Sequence, residues 1–325
     1  MEKTGKISLF FILILSALLL AGCASVSSGS DTGVLSMRFF STSAKSWGDC
    51  TYIVFPNGEN MLIDCGTEKA GAEILDELRS LGADHIDYLV ISHYHSDHVN
   101  GLKAILPAMD IRHAFVTGYY PTDFSWVERN LELYGTEIEY VKAGDSFSVG
   151  NVLFEVLWPT AQIVSERPDQ ASNAASGAGS VYDVNCHSMV LKMTYGKNTV
   201  LFTGDIYVEA ETEIIRLYAD NPGILDCDIL KVMHHGYNNA NSEAFIQAVC
   251  PEYAFSMGTA TMEMLTYLYY YKVGTKVYMS WYNGNSQVIM DGSDIVVTCD
   301  RTGVNQGYLK YAEGWELLQQ HKENL

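Results

Sequence analysis

One heptapeptide, Ser-His-Tyr-His-Ser-Asp-His at residues 92–98, constrains this chain more than any other feature. It places three imidazoles and one carboxylate directly after residues 86–91, which are apolar apart from Asp87 and predict a buried strand. Such polar groups are costly to gather in one desolvated place unless a positive charge satisfies them. Imidazole together with carboxylate suits zinc, iron or manganese. The run therefore predicts a metal centre at the end of a strand.

The spacing within this run divides its donors between two cations. In an extended segment, residues two apart share one face, so His93 and His95 can hold one cation. Asp97 and His98 follow where the chain turns into a helix near Gly101, which can direct them to a second cation. A cluster of solvated surface histidines is the alternative interpretation.

The run resembles the HxHxDH signature of the metallo-β-lactamase-fold hydrolases. Three further segments resemble motifs of that family in the expected order. They are MLIDCG at residues 61–66, LFTGD at 201–205 and KVMHHG at 231–236. The resemblance implies that Asp64 supports a metal-bound histidine and that Asp205 bridges two metals.

Other residues resemble a branch of that family, the hydrolase domain of the DNA-uptake channel protein ComEC and its free-standing relatives. This resemblance covers roughly residues 35–300. A phosphorylcholine esterase of similar type is a second relative. The histidine that usually follows the next strand is missing, because residues 256–258 continue into Thr259. The residues that carry the resemblance are Gly48, Asp49, Cys50, Asn185, Ser188, Glu209 and Glu211, together with LKVMHHG.

The resemblance implies two divalent cations, with zinc expected and manganese or iron as alternatives. It assigns His93, His95 and His187 to the first cation, Asp97, His98 and His234 to the second, and Asp205 to both. A supporting or solvated role is the alternative for His187. The sequence does not separate His234 from His235; we expect His234 to bind metal and His235 to contact the substrate. The expected catalytic residues are Asp97, Asp205 and His235.

Hairpin patterns with interspersed helices predict an α/β fold, and the family resemblance specifies an αββα sandwich of two mixed β-sheets flanked by helices. Residues 165–180 have no apolar period and predict a surface loop. Helices are predicted at residues 69–81, 123–134, 208–218 and 242–249. Strands are predicted at residues 35–40, 51–55, 60–64, 86–91, 114–117, 137–141, 152–157, 188–195, 199–203, 229–233, 253–256, 276–279 and 295–299.

The N-terminus has the pattern of an export signal. Lys3 and Lys6 precede an apolar run of 14 residues at 7–20, which is short for a membrane span. The sequence LAGC resembles the lipobox of bacterial lipoproteins, in which the cysteine, here Cys23, is lipidated. An uncleaved anchor helix is the alternative, and both place the remainder outside the cytoplasm. We expect a signal peptide at 1–22, a polar tether at 23–33 and a hydrolase domain at 34–325, lipid-anchored on the extracytoplasmic side.

The charge balance limits the substrate. The chain has 39 acidic and 20 basic residues, for a formal net charge of -19. Tight binding to long nucleic acids needs basic surface, whereas phosphate chemistry at one metal-bearing cleft does not. The residues that could form a local basic strip are Lys103, Arg112, Arg129, Lys142 and Lys231.

The predicted activity is hydrolysis by a water activated between two cations. An extracellular phosphodiester or nucleic-acid-type substrate is preferred because of the ComEC resemblance. Hydrolysis of a lactone, lactam, thioester or phosphorylcholine-type phosphoester is the alternative, and a non-catalytic binding module is a third class. The expected partners are this substrate and, through the lipid on Cys23, the membrane; the sequence indicates no protein partner.

Overall fold

Two mixed β-sheets form the centre of this chain. The computed structural model describes residues 33–42, 48–119, 124–165, 184–258, 262–302 and 306–323. The first sheet has the strand order β15-β14-β1-β2-β3-β4-β5-β6, and the second has the order β13-β12-β11-β10-β9-β8-β7. The strands are β1 Leu35–Phe39, β2 Thr51–Val54, β3 Asn60–Ile63, β4 His85–Val90, β5 Asp110–Val116, β6 Glu137–Tyr140, β7 Ser146–Val149, β8 Val152–Trp158, β9 Val190–Tyr195, β10 Asn198–Phe202, β11 Ile229–Lys231, β12 Tyr253–Ser256, β13 Lys276–Met279, β14 Ser286–Met290 and β15 Ile295–Cys299.

Helices cover the outer faces of both sheets. Within the described residues the α-helices are α1 Glu68–Ser80, α2 Ser96–Val99, α3 Leu102–Ile105, α4 Trp126–Leu133, α5 Ala161–Ser165, α6 Val208–Leu217, α7 Glu243–Val249, α8 Met264–Lys272, α9 Ser280–Asn283 and α10 Gln306–Glu323. The described ranges also contain 3₁₀ turns at Asn185–His187, Pro222–Ile224 and Met233–Gly236.

The core has three hydrophobic layers. The middle layer lies between the sheets, where Phe39 of β1 stacks on Phe255 of β12 with ring centroids 4.2 Å apart. One outer layer joins the first sheet to α1, and the other joins the second sheet to α6 and α7. Each fully buried Phe, Leu or Ile contributes about 1.5–3 kcal/mol relative to an exposed side chain. The predicted αββα sandwich is confirmed.

The parallel strands bring the polar motifs to one edge. Strands β3, β4 and β5 run parallel in the first sheet, and β10, β11 and β12 do so in the second. Parallel neighbours have their carboxyl ends at the same edge, which is where open α/β sheets place their sites. Asp64 directly follows β3, Asp205 lies three residues beyond β10, and residues 92–98 follow β4.

Several elements follow their sequence patterns closely. Helix α1 begins after Thr67, whose Oγ1 accepts a hydrogen bond from the Ala70 N–H at 3.3 Å, and Gly82 beyond its end has a φ of 87°. The strands predicted at 188–195 and 199–203 are confirmed as β9 and β10, which pair antiparallel as a hairpin with Asn198 opposite Tyr195. Strand β11 is shorter than predicted because the chain turns at Met233–Gly236.

The predictions missed strands β7 and β14 and helices α5, α8, α9 and α10. Helix α8, with the sequence MLTYLYYYK, is rich in tyrosine and buries Thr266, Tyr267, Leu268 and Tyr270 in succession. Burial on adjacent faces removes the polar-to-apolar period by which a surface helix is identified. Strand β5 begins at Asp110, four residues before its predicted start at 114, with alternating exposed and buried residues.

Some predictions fall outside the described residues. These are the signal peptide at 1–22, nearly all of the tether at 23–33, and all but residue 165 of the loop at 165–180. Among the helices that the structure describes, none combines the length and the hydropathy that a membrane span requires.

Candidate metal centre

Four buried donors converge where the carboxyl edges of the two sheets meet. His98 Nε2 lies 3.1 Å from Asp205 Oδ2, and His235 Nε2 lies 3.2 Å from the same oxygen. Asp97 Oδ2 is 3.1 Å from His235 Nε2. One ligand atom of each of these four residues lies within 4.8 Å of the others. Residues far apart in sequence thus present two imidazoles and two carboxylates to one point.

Close backbone packing holds the 92–98 segment against the rest of the centre. Gly48 has a φ of 130°, and a Cβ there would lie 2.2 Å from the carbonyl oxygen of Asp97. Gly204 has a φ of 52°, and a Cβ there would meet the side chain of Ser188 at 2.6 Å. Both positions therefore require glycine for space as well as for backbone conformation.

Asp64 supports His98 from the side away from the other donors. Its Oδ2 lies 2.7 Å from His98 Nδ1 and accepts a hydrogen bond from Ser92 Oγ at 2.6 Å. The Ser92 N–H donates to the other carboxylate oxygen at 2.8 Å. A carboxylate on Nδ1 fixes the orientation of the ring and leaves Nε2 facing the centre.

The centre contains two further charged residues, Asp49, which the sequence names as part of the ComEC resemblance, and Lys231, which it names only as a candidate for a basic strip. The Lys231 ammonium donates to the carbonyl oxygen of Gly204 at 2.8 Å, lies 3.1 Å from Asp205 Oδ1, and also contacts the Asp49 carboxylate. Asp49 Oδ1 lies 3.1 Å from His235 Nδ1. A lysine inside an otherwise apolar strand is the sequence signal that could have identified the pair.

Electrostatics in the metal-free chain follow from this crowding of charge. Burial acts to lower the pKa of His98, but Asp205, Asp64 and Asp97 raise it well above its ordinary value. The pKa of His235 is raised in the same way, against burial, by Asp205 and Asp49. Burial opposes the shift of Asp97, whose pKa the two histidines lower to about 2. The carboxylates therefore stay ionised and attract positive charge.

The predicted donors of the first cation are only partly brought together. His93 Nε2 and His95 Nδ1 lie 3.1 Å apart, which suits two ligands of one cation. The His93 ring centroid is 4.1 Å from that of His98. Burial is the main cause that lowers the pKa of His93 well below its ordinary value, so this imidazole is neutral.

His187 is buried at the end of the 3₁₀ turn Asn185–His187. Its ring stacks on Tyr119 with centroids 3.7 Å apart, and its Nε2 lies 3.3 Å from the carbonyl oxygen of Ile163. In the part of the chain that the structure describes, neither group of three or more convergent donors includes His187. The ligand role expected for His187 and its alternative, a supporting or solvated role, therefore both stay predictions.

The geometry separates His234 from His235. His235 belongs to the four-donor group, whereas His234 is half-buried with Nδ1 2.7 Å from Asn239 Oδ1. Its ring lies between those of Tyr207 and Tyr237, at centroid distances of 5.0 and 5.1 Å. Both histidines have left-handed backbone, with φ of 41° and 55°, and this strained turn directs their side chains differently.

The donor set fits a divalent cation. Two imidazoles and two ionised carboxylates are common ligands of zinc and of related transition metals. Asp97, His98, Asp205 and His235 would hold such an ion, and His93 with His95 offers two donors for another. The four-donor group is buried, so its two negative charges need compensation that solvent does not supply.

The sequence model of the Metallo-beta-lactamase superfamily matches residues 48–255, which is well over half of the chain. The chain belongs to this superfamily. A solved metallo-β-lactamase-fold protein, YhfI from Bacillus subtilis, covers 75% of this chain and 96% of its own, with a TM-score of 0.50 and 11% identity. That likeness concerns the fold.

Within the superfamily, curated relatives of the ComEC type match. "ComE operon protein 3" of Bacillus subtilis is 29% identical over 180 residues, which are 54% of this chain and 20% of that protein. "Competence protein ComA" of Neisseria gonorrhoeae is 28% identical over 198 residues, 60% of this chain and 23% of that protein. The chain thus spans about a fifth of the length of these relatives. The predicted ComEC-type resemblance is confirmed.

Proposed function

We propose that this metallo-β-lactamase-fold chain is a divalent-cation-dependent phosphodiesterase that acts outside the cell. One observation carries the proposal: Asp205 of the second sheet lies 3.1 Å from His98, which belongs to the 92–98 turn of the first sheet. That convergence is what a hydrolytic centre of this fold needs. Bound divalent cations would lower the pKa of a water towards neutrality and neutralise negative charge on the attacked group.

The residues of the chain hold and orient the reacting groups. Asp97 and Asp205 supply the negative charge that retains the cations, and Asp64 keeps His98 turned towards them. Burial of the donors excludes bulk water and strengthens electrostatic interactions in the centre. His234, beside the centre but outside the donor group, takes the substrate-contacting role that was expected of His235.

A small phosphodiester fits the surface charge better than a long nucleic acid. Four of the five basic residues that could form a strip are already in ion pairs. These pairs are Lys103–Glu68, Arg112–Asp87, Lys142–Asp145 and Lys231–Asp205. A basic residue that is paired with a carboxylate contributes little to phosphate binding, because its charge is already compensated. The similarity to competence proteins supports a nucleotide-containing diester.

The activity is tested on the full chain purified in detergent, stripped with a chelator and reloaded with Zn²⁺ or Mn²⁺. The substrates are bis-p-nitrophenyl phosphate, a short single-stranded oligodeoxynucleotide, a phosphorylcholine ester, a lactone, a lactam and a thioester. We expect metal-dependent cleavage of the diesters and loss of at least about 100-fold in Asp205→Asn. Turnover of only the last three substrates would overturn the phosphodiesterase proposal. A metal-loaded chain without turnover of any substrate would support a binding module.

We also propose a lipid anchor on Cys23, facing the extracytoplasmic side. The supporting observation is the sequence LAGC after a basic and apolar N-terminus. In a bacterial host, the native chain is expected in the membrane fraction without residues 1–22 and with an acylated Cys23, whereas Cys23→Ser should keep residues 1–22. Mass spectrometry of the N-terminus measures both, and a native chain that keeps residues 1–22 would favour the uncleaved anchor helix instead.

A further inference from the structure

The most unusual group in the centre is a buried ammonium beside the shared carboxylate. The Lys231 side chain is 5% exposed, and those of its partners Asp49 and Asp205 are 3% and 2% exposed. Lys231 Nζ lies 3.1 Å from Asp205 Oδ1, while Oδ2 of the same carboxylate faces His98 and His235. The ammonium and a cation at the donor group would therefore share one carboxylate.

The fixed positive charge of Lys231 opposes the binding of a cation at the neighbouring donor group. Like charges in a buried site repel each other more strongly than in water, because solvent screens them less. The ammonium also draws electron density from Asp205 by hydrogen bonding, so less of the carboxylate charge is available to a metal ion. Lys231 thus competes with the divalent cation without occupying its place.

Asp49 offsets this competition. Its carboxylate contacts Lys231, and its Oδ1 lies 3.1 Å from His235 Nδ1, on the side of the ring away from the donor atom. Its backbone N–H donates to the carbonyl oxygen of Asp97 at 3.1 Å. Asp49 therefore contacts two of the four donor residues and neutralises the lysine beside a third.

We propose that Lys231 is an internal counter-ion that weakens the hold of the centre on divalent cations, and that Asp49 sets how strongly it does so. The pair thereby tunes the metal affinity of this chain. A pair that only stabilised the fold would weaken cation binding when either member was removed. A tuning pair gives opposite signs: affinity rises without Lys231 and falls without Asp49.

The test is a titration of the metal-free full chain with Zn²⁺ alone, in competition with a chelator of known affinity. We expect Lys231→Met to bind the first Zn²⁺ at least about tenfold more tightly than the native chain, and Asp49→Asn at least about tenfold more weakly. Lys192→Met is the matched control. Lys192 is also buried in the second sheet, but its Nζ donates to the carbonyl oxygens of Ile224 and Asp226. The Zn²⁺ affinity of Lys192→Met should stay within about threefold of that of the native chain.

A double variant keeps the test decisive even if Lys231→Met does not fold. Lys231→Met leaves Asp49 buried without its ammonium partner, and such changes are strongly destabilising. The double variant Asp49→Asn with Lys231→Met removes both charges, and it should bind Zn²⁺ at least about tenfold more tightly than Asp49→Asn alone. Weaker or unchanged binding on removal of Lys231, in both backgrounds, would overturn the proposal but leave the hydrolase function intact. A native chain that binds neither Zn²⁺ nor Mn²⁺ would overturn both.

Discussion

Lys231 Nζ lies 3.1 Å from Asp205 Oδ1, and through Asp205 it is linked to a histidine of the other sheet, His98, whose Nε2 is 3.1 Å from Oδ2. One carboxylate therefore joins a lysine of the second sheet to an imidazole of the first. A cation held by these donors would have to displace the proton of each histidine, so its binding is linked to proton release.

The two adjacent histidines give the most direct test of the donor assignment. His235→Ala should lower Zn²⁺ affinity at least about 100-fold, because it removes a donor 3.2 Å from Asp205 Oδ2. His234→Ala should leave Zn²⁺ affinity within about threefold of native and raise the KM for a diester, because His234 lies outside the donor group. Metal content after dialysis and a competition titration measure the difference. Loss of metal in His234→Ala would contradict the assignment.

Asp64 is expected to act on the metal only through His98. Asp64→Asn removes the charge 2.7 Å from His98 Nδ1 and should lower Zn²⁺ affinity by about 10- to 100-fold. Asp145→Asn is the matched control, since Asp145 pairs with Lys142 on the surface. If both variants bound Zn²⁺ equally well, His98 would not depend on its buried carboxylate.

Cation affinity should rise with pH. Burial acts to lower the pKa of His98 and His235, but neighbouring carboxylates raise it well above the ordinary value. Both imidazoles are therefore positively charged near neutrality in the metal-free chain. Protons therefore compete with Zn²⁺, and affinity should increase from about pH 6 to about pH 8 with release of protons. Calorimetry in buffers of different ionisation enthalpy counts those protons. Binding that is independent of pH and releases none would contradict this.

The stability of the metal-free chain should respond to pH with the opposite sign. A histidine whose folded pKa is raised stabilises the fold fully below its unfolded pKa, about 6.5, and this contribution is lost as the pH rises through the folded pKa. The free energy of unfolding without metal should therefore fall as the solution becomes alkaline. Urea unfolding of the chelated chain at several pH values measures it, and a stability that increases over the same range would contradict the expectation.

Cleavage of an oligonucleotide should depend little on salt. A protein that tracks phosphates with several basic residues loses about 10³- to 10⁵-fold in affinity between about 50 and 200 mM salt. Here most of the candidate basic residues are in ion pairs, so the KM should change less than about threefold over that range. A steep loss of affinity would instead indicate a basic surface that binds a polymer.

The sequence predicted the elements of the centre that are carried by local patterns. The apolar strand before residues 92–98, the Gly-Asp after β10 and the carboxylate at Asp64 are all readable from a few adjacent residues. The choice between His234 and His235 is not readable in this way, because it depends on two consecutive left-handed residues. The roles of Lys231 and Asp49 were missed because a buried ion pair arises only when distant segments meet.

The fold shows the same division. Helix α1 and the β9–β10 hairpin have clear periods and turn signals, and both lie where their patterns predict. Helix α8 lacks a polar face because it packs on several sides, so no sequence period marks it. Sequence patterns identify elements that contact water on one side, whereas the conformation of elements packed on several sides is determined by tertiary contacts.

The centre draws its donors from both layers of the sandwich, since Asp97 and His98 follow β4 whereas Asp205 and His235 follow β10 and β11. An ion bound there would cross-link the two sheets at their carboxyl edges. Sliding of one sheet over the other would then require the bonds between the ion and its ligands to break. Binding of an ion would therefore increase the rigidity of the whole sandwich, well beyond the few side chains that touch the ion.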